Sequence, residues 1–341
     1  MLKKCGKRSV RFENRLTILA TASVVGPKEG EGPLAAYFDR VAQDQLFDED
    51  TWEKAESKFL RTAMETAIAK AGARKEEIDY VISGDLLNQS IGSTFGVREL
   101  GIPFFGIFGA CSTFGEGMTL AAMLIDGGFG EKILFGASSH FCAAERLFRL
   151  PLDMGAQTAP TSSRTVTGAG AGVLVMAGDG PYVTYATTGK IVDLGVKDAS
   201  NMGAAMAPAA ADTLVSHFVD TGREPGYYDV IATGDLGYVG RDILLKLMKE
   251  EGYDLTANHT DCGIEIFDRE SQDTKAGGSG CACSAATFSG YFFNKLKNNQ
   301  IGRILLVPTG ALLSTTSTQQ GESIPCVAHA VAIEQRIEAR G

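Results

Sequence analysis

The same short patterns occur twice in this chain, in the same order, and that repeat constrains the fold more than any single motif. Asp79-Tyr80-Val81-Ile82-Ser83-Gly84-Asp85-Leu86 returns as Tyr228-Asp229-Val230-Ile231-Ala232-Thr233-Gly234-Asp235-Leu236. Cys111-Ser112 and the apolar helix pattern after it return as Cys283-Ser284 with Ala285 to Leu296. Ile133 to Phe135 with Gly136-Ala137 is matched by Ile304 to Val307 with Gly310-Ala311. A duplication that keeps its element order predicts two like units packed on one another. Each unit reads as βαβ-rich with a mostly parallel sheet, so the fold class is α/β. The halves are expected at 1–185 and 186–341, joined near residues 180 to 200. The repeated helices, 112–126 and 285–297, are expected between the two sheets.

A chain of 341 residues is long enough for two fused halves. Its 44% hydrophobic and 21% charged residues are those of a globular protein with a substantial core. A net charge of −9 argues against general binding to nucleic acid or to anionic membranes. No apolar run reaches the roughly 18 to 20 residues that span a bilayer. Met1 to Arg15 is basic but no signal-peptide core follows, and Thr17 to Val25 leads into polar sequence as a first strand would. Seven cysteines, an odd number without framework spacing, predict reduced thiols in a cytosol-like compartment.

Leu16 to Val25 reads as a strand, Pro27 to Pro33 as a loop, and Leu34 to Asp50 as irregular or partly helical. Trp52 to Ala71 is a helix, with Phe59, Ala63 and Ala67 on one face and Gly72 closing it. Lys132 to Gly136 is a strand. Gly172 to Ala177 and Tyr182 to Val192 read as a hairpin about Gly178-Asp179-Gly180. Ala204 to Val219 reads as helix and Gly263 to Phe267 as strand. The glycine-rich run Gly168 to Gly172 leads into a strand, which favours close backbone packing over phosphate binding.

Phe108 to Gly115 lies between the apolar run Ile102 to Phe108 and the helix pattern Met118 to Ile125. Strand, tight turn and helix in that order lift one side chain clear of a sheet, here Cys111. A thiol at a helix start feels unpaired N–H groups, which favours its thiolate. The alternative is a small buried apolar residue, the commonest fate of a free cysteine.

A duplicated α/β chain with a cysteine at this elbow resembles the thiolase superfamily over nearly its whole length. Longer runs narrow the resemblance: Gly109-Ala110-Cys111-Ser112-Thr113 with Glu116-Gly117, Phe135 to Phe141, Ala144-Glu145-Arg146, Thr233 to Gly237, Thr260 to Gly263, and Gly277 to Cys281 with Cys283-Ser284-Ala285. Together they are similar to the stage V sporulation protein AD family within that superfamily. The resemblance implies a five-layered α-β-α-β-α fold and a homodimer. Enzymes of the superfamily use the elbow cysteine as acyl acceptor, with His and His or Asn from the second half. The two loops that should carry them read Asp268 to Gln272 and Gly277 to Cys283, with neither residue type. His140, His217, His259 and His329 lie elsewhere.

The family resemblance therefore implies a non-catalytic protein that binds dipicolinic acid (pyridine-2,6-dicarboxylate), free or as its calcium chelate. It implies a soluble component of the spore-membrane complex that takes this ligand into the developing spore, cytoplasmic or peripheral on the inner membrane. It implies no cofactor beyond calcium with the ligand, no nucleic acid and no direct membrane span. Two alternatives stand: an acyltransferase that takes a CoA thioester on Cys111 with Asp268 or Cys281 as base, and a scaffold with a vestigial pocket.

The expected ligand site is Asp85, Cys111, Ser138, Ser139 and His140. Asp85 has a competing role, because its repeat mate Asp235 ends the equivalent strand and an Asp there can cap the next turn. Ser138 and Ser139 can satisfy turn backbone instead. Arg146, Arg149 and Arg164 could fork a carboxylate or lie solvated. Cys281 and Cys283 lack the further ligands of a zinc site.

Overall fold

The computed structural model describes residues 3–147 and 158–336. Besides the two-residue strands Lys4–Cys5 and Arg40–Val41 that flank its first strand, the first sheet has five strands: β1 (Ser9–Val25), β2 (Tyr80–Gly84), β3 (Phe104–Gly106), β4 (Lys132–Ser139) and β5 (Gly168–Met176). Five form the second: β6 (Tyr182–Thr187), β7 (Val230–Thr233), β8 (His259–Asp261), β9 (Arg303–Val307) and β10 (Ala330–Glu334). The first sheet runs β3-β2-β4-β5-β1 and the second β8-β7-β9-β10-β6. Both have the same order, and in both the last strand is antiparallel to its two neighbours while the middle three are parallel. The repeat in the sequence is thus a repeat of topology.

The long β1 pairs with β5 along its second part and with β6 along its first. The expected hairpin of β5 and β6 therefore does not form. A 17-residue first strand is long enough to take both, one on each side. β6 opens the second sheet, and the 185/186 division falls inside it.

Period-2 alternation explains the layering. In the first sheet Ile82, Ile133, Phe135 and Leu174 face the centre, while Val81, Leu134, Ala171 and Val173 pack under helix α1 (Trp52–Lys70). In the second, Ile304, Leu306, Val331 and Ile333 face the centre. Leu305, Val307, Ala330 and Ala332 pack on helices α3 (Met202–Thr221) and α4 (Gly237–Glu250). The central layer holds α2 (Thr113–Asp126) and α5, which runs from Cys281–Thr287 through a π turn at Phe288–Phe292 to Phe293–Lys297. The result is the α-β-α-β-α arrangement.

Gly170 on β5 shows why that strand is glycine-rich. A Cβ there would stand 2.1 Å from the Ala285 carbonyl oxygen of α5, so only glycine lets the central helix lie against the sheet. Three local expectations change. Pro27–Gly30 is a short helix rather than loop. Cys262–Glu265 is a helical turn rather than the start of a strand, because Asp261 caps it at the Gly263 N–H, 3.0 Å away. Gly310-Ala311 belongs to a separate strand (Thr309–Ala311) paired with Cys326–Ala328, since Pro308 interrupts β9.

Candidate functional site

The elbow is fixed by local hydrogen bonds. Ala110 takes a left-handed conformation (φ 49°). The Ser112 hydroxyl donates to the Gly109 carbonyl at 2.6 Å, and the Thr113 hydroxyl donates to the Ala110 carbonyl at 2.6 Å. Cys111 sits in the 3-10 turn Ala110–Ser112, just ahead of α2, and is 6% exposed. It faces a cavity of about 380 Å³. The walls are Leu86 to Ser90 after β2, Leu312 to Thr315 from the second half, and Ser279-Gly280 at the start of α5.

The thiol is not activated as the helix start predicts. Burial first, and then the nearby Asp235 carboxyl, push it well above the usual thiol range. A thiol in apolar surroundings beside an acid stays protonated, and one turn of helix dipole does not outweigh that.

Asp235, which the repeat marks as a strand-end cap like Asp85, is a site residue instead. The two repeats divide the work of a strand-end aspartate differently. Asp85 caps its own loop: its two oxygens accept from the Leu87 N–H at 2.8 Å and the Ser93 N–H at 2.6 Å. In the second half that capping falls to Asp261, which accepts from Leu236 N–H at 2.9 Å and Gly237 N–H at 3.0 Å. Asp235 is thereby released toward the cavity. Its Oδ2 accepts from the Ser279 hydroxyl at 2.7 Å and the Gly280 N–H at 3.2 Å. Ser279 Oγ in turn lies 3.9 Å from the Cys111 sulfur. Gly280 has φ 97°, and a Cβ there would come within 2.7 Å of Ser139 Oγ, so this approach of the second half needs glycine. The Gly-Asp repeat together with the extra Asp261 was the available signal.

Of the five expected residues, only Cys111 lines the cavity. Ser138 donates to Glu56 at 3.3 Å, and Ser139 donates to the Val166 carbonyl at 2.8 Å. His140 bonds the Gln45 carbonyl at 2.7 Å and accepts from the Cys142 N–H at 3.2 Å; burial holds it below the usual histidine range. All three are fully buried. Asp85 is buried too, and burial raises its carboxyl. Its effect on the cavity is indirect. The loop it clamps holds Gln89 (φ 56°) and Ser90 (φ 51°), two consecutive non-glycine residues in the left-handed region. Each costs about 1–2 kcal/mol, and this strained wall is held at both ends by one carboxyl.

The other candidates fall outside. Asp268 is exposed and accepts from Ser271. The Cys281 thiol donates to the Ala110 carbonyl at 2.9 Å and is pushed well up by burial. Arg146 pairs with Glu53, Arg164 stacks on Phe141 at 3.8 Å, and Arg149 lies outside the described residues. Among the described residues no three His, Cys, Asp or Glu side chains converge as metal ligands. No described helix is long and apolar enough to cross a membrane.

The profile of the family Stage V sporulation protein AD (SpoVAD) matches residues 6–334. The chain belongs to the stage V sporulation protein AD family. Stage V sporulation protein AD of Bacillus subtilis (strain 168) is 42% identical over 334 residues, covering 98% of each chain. Solved structures show that the family fold is thiolase-like. A variant of OleA from Xanthomonas campestris matches with a TM-score of 0.63 at 17% identity, covering 95% of this chain and 98% of that one. The 3-oxoacyl-(acyl carrier protein) synthase III FabH of Xanthomonas oryzae pv. oryzae matches with a TM-score of 0.59 at 16% identity, covering 95% and 100%. This chain thus carries its elbow cysteine in a fold shared with OleA and with a 3-oxoacyl-(acyl carrier protein) synthase III.

Proposed function

We propose that this protein binds dipicolinate, free or as its calcium chelate, in the cavity at Cys111, without catalysing acyl transfer, as a sporulation protein. One observation carries the reading. The cavity keeps the elbow thiol, but the group that reaches that thiol is Ser279 backed by a carboxyl, and no histidine lines it among the described residues. A pocket with no histidine beside the thiol lacks the imidazole base whose assistance is typically worth about 10²- to 10⁴-fold. Its size, and a mainly apolar lining with a few hydroxyl and amide groups, suit a small planar ring compound with polar substituents. Two measurements test it. Calorimetry should show saturable, one-to-one binding of dipicolinate, and purified protein given acyl-CoA should show no turnover above background. Rapid thiolysis lost in Cys111→Ser would establish the acyltransferase instead, and absent binding would leave the scaffold.

In this reading Asp85 is a positioning residue. Asp85→Ala removes both acceptors that hold the Leu86 to Ser90 wall. Affinity for dipicolinate should fall roughly tenfold, about 1.4 kcal/mol, equally with and without calcium. A loss confined to calcium-containing buffer would instead make Asp85 a metal ligand.

The same reading includes a homodimer paired through β3. This strand is an open sheet edge, with Phe105 and Phe108 about half exposed beside it. Unprotected edges of this kind pair with another strand. Sedimentation should give a dimer, and Phe105→Glu a monomer. A monomeric parent protein refutes the pairing. Membrane partners in the spore and a peripheral position there belong to the same proposal, tested by co-purification from sporulating cells.

A further inference from the structure

The Asp235 carboxyl lies one hydroxyl away from the cavity, and that hydroxyl can point only one way at a time. Ser279 lines the cavity and has a single hydrogen to donate. When Asp235 is ionised, the hydrogen is spent on Oδ2, 2.7 Å away. The cavity then meets the serine lone pairs with a negative charge behind them. When Asp235 is protonated, Oδ2–H donates to Ser279 Oγ. The serine hydrogen is released and turns toward the cavity, where it can donate to an anion.

Three observations favour a protonated Asp235 whenever an anion is bound. Its Oδ1 is buried and has no hydrogen-bond partner, which an ionised carboxylate tolerates poorly. No Lys or Arg is among the described residues that line the cavity. Burial lifts the carboxyl to about 7, so the proton is available near neutrality.

The groups facing Asp235 from each packed element do not replace that proton. Cys111 on the elbow, Cys281 and Cys283 on α5, and Cys262 after β8 are thiols that burial keeps neutral, so none brings a positive charge, although hydrogen bonding from Cys111 and Ser279 works against the rise of the carboxyl. Cys326 is pushed up to about 12. The carboxyl of Asp261, itself raised to about 6, adds repulsion that favours protonation of Asp235.

We propose that Ser279 and Asp235 form a proton-dependent carboxylate receptor, so that a carboxylate ligand enters the Cys111 cavity together with one proton taken up by Asp235. The inference rests on the dipicolinate reading for its ligand. Dipicolinate remains a dianion through the neutral range, so the proton is the protein's. The receptor replaces a cation with a hydrogen bond, and it ties ligand retention to pH: affinity is highest below about pH 7 and falls as Asp235 ionises.

Calorimetric titration with dipicolinate between pH 6 and 8.5, without calcium and in two buffers of different ionisation heat, reads both affinity and proton uptake. The parent protein should take up close to one proton per ligand above pH 8, with affinity falling about tenfold per pH unit there. Asp235→Asn keeps a permanent donor to Ser279, so it should bind with no proton uptake and a flat pH profile. Ser279→Ala, which removes the hydroxyl without touching the carboxyl, should bind several-fold more weakly at pH 6 and lose most of the pH dependence. It carries the test if Asp235→Asn does not fold. Binding by the parent without proton uptake, or an unchanged pH profile in both variants, overturns the receptor and leaves the pocket reading intact. No binding by the parent at any pH overturns both.

Discussion

Cys111→Trp is expected to abolish dipicolinate binding while leaving the protein folded. Cys111 stands at the floor of a cavity of about 380 Å³, ringed by Phe108, Met202, Leu312 and Leu313. An indole in place of the thiol would extend into that space, where a planar ring ligand would otherwise lie. Because the side chain faces the cavity, part of the indole finds room there, and the overpacking cost to stability should stay within about 1–3 kcal/mol. The expected loss of affinity is about 100-fold or more, roughly 3 kcal/mol. Titration calorimetry measures the first quantity and urea denaturation the second. Undiminished binding in a folded Cys111→Trp protein places the ligand elsewhere. Cys111→Ser, by contrast, should bind nearly as the parent does, since the buried thiol stays neutral and supplies no charge.

Gly170→Val should strongly destabilise the frame around the site. The added Cβ would meet the Ala285 carbonyl oxygen at 2.1 Å and its carbon at 2.3 Å. Both contacts are backbone atoms of a central helix pressed between two sheets, so no rotamer change relieves them. Overpacking in a dense core typically costs 1–3 kcal/mol and more where neither side can move. A loss of about 3 kcal/mol or more is expected from urea midpoints. Gly226→Ala, where nothing lies within 4 Å of the new Cβ, is the control and should change stability by less than about 0.5 kcal/mol. A neutral Gly170→Val would mean that α5 can slide on β5, and the rigid placement of Ser279 and Gly280 would lose its basis.

Most of the frame was legible because it was written twice. The strand-end Gly-Asp pairs and the Cys-Ser helix starts mark equivalent points in two sheets whose strand order proves identical. The uninterrupted apolar run Ile304 to Val307 and the apolar pattern of Met118 to Ile125 mark elements buried on both faces. What sequence does not carry is pairing at a distance. Nothing in Gly178-Asp179-Gly180 distinguishes a hairpin turn from a link between strands on opposite sides of β1. The site was harder still. Asp85 and Asp235 look alike in sequence, and only the position of Asp261 decides which one is spent on a cap and which reaches the cavity. Ser138, Ser139 and His140 end β4 beside the elbow, yet their polar atoms turn to Glu56, Val166 and Gln45. Cys111 was found because elbow geometry is local. Its raised pKa was not, because it depends first on burial in the folded core and then on a carboxyl from the other repeat.

The most direct test is a crystal structure of the protein soaked with dipicolinate at saturating concentration. The account predicts difference density for the pyridine ring in the cavity between Cys111, the Leu86 to Ser90 wall and Leu312 to Thr315, with one carboxylate within hydrogen-bond distance of Ser279 Oγ. Density for the ligand at any other place, or an empty cavity at full saturation, would contradict it.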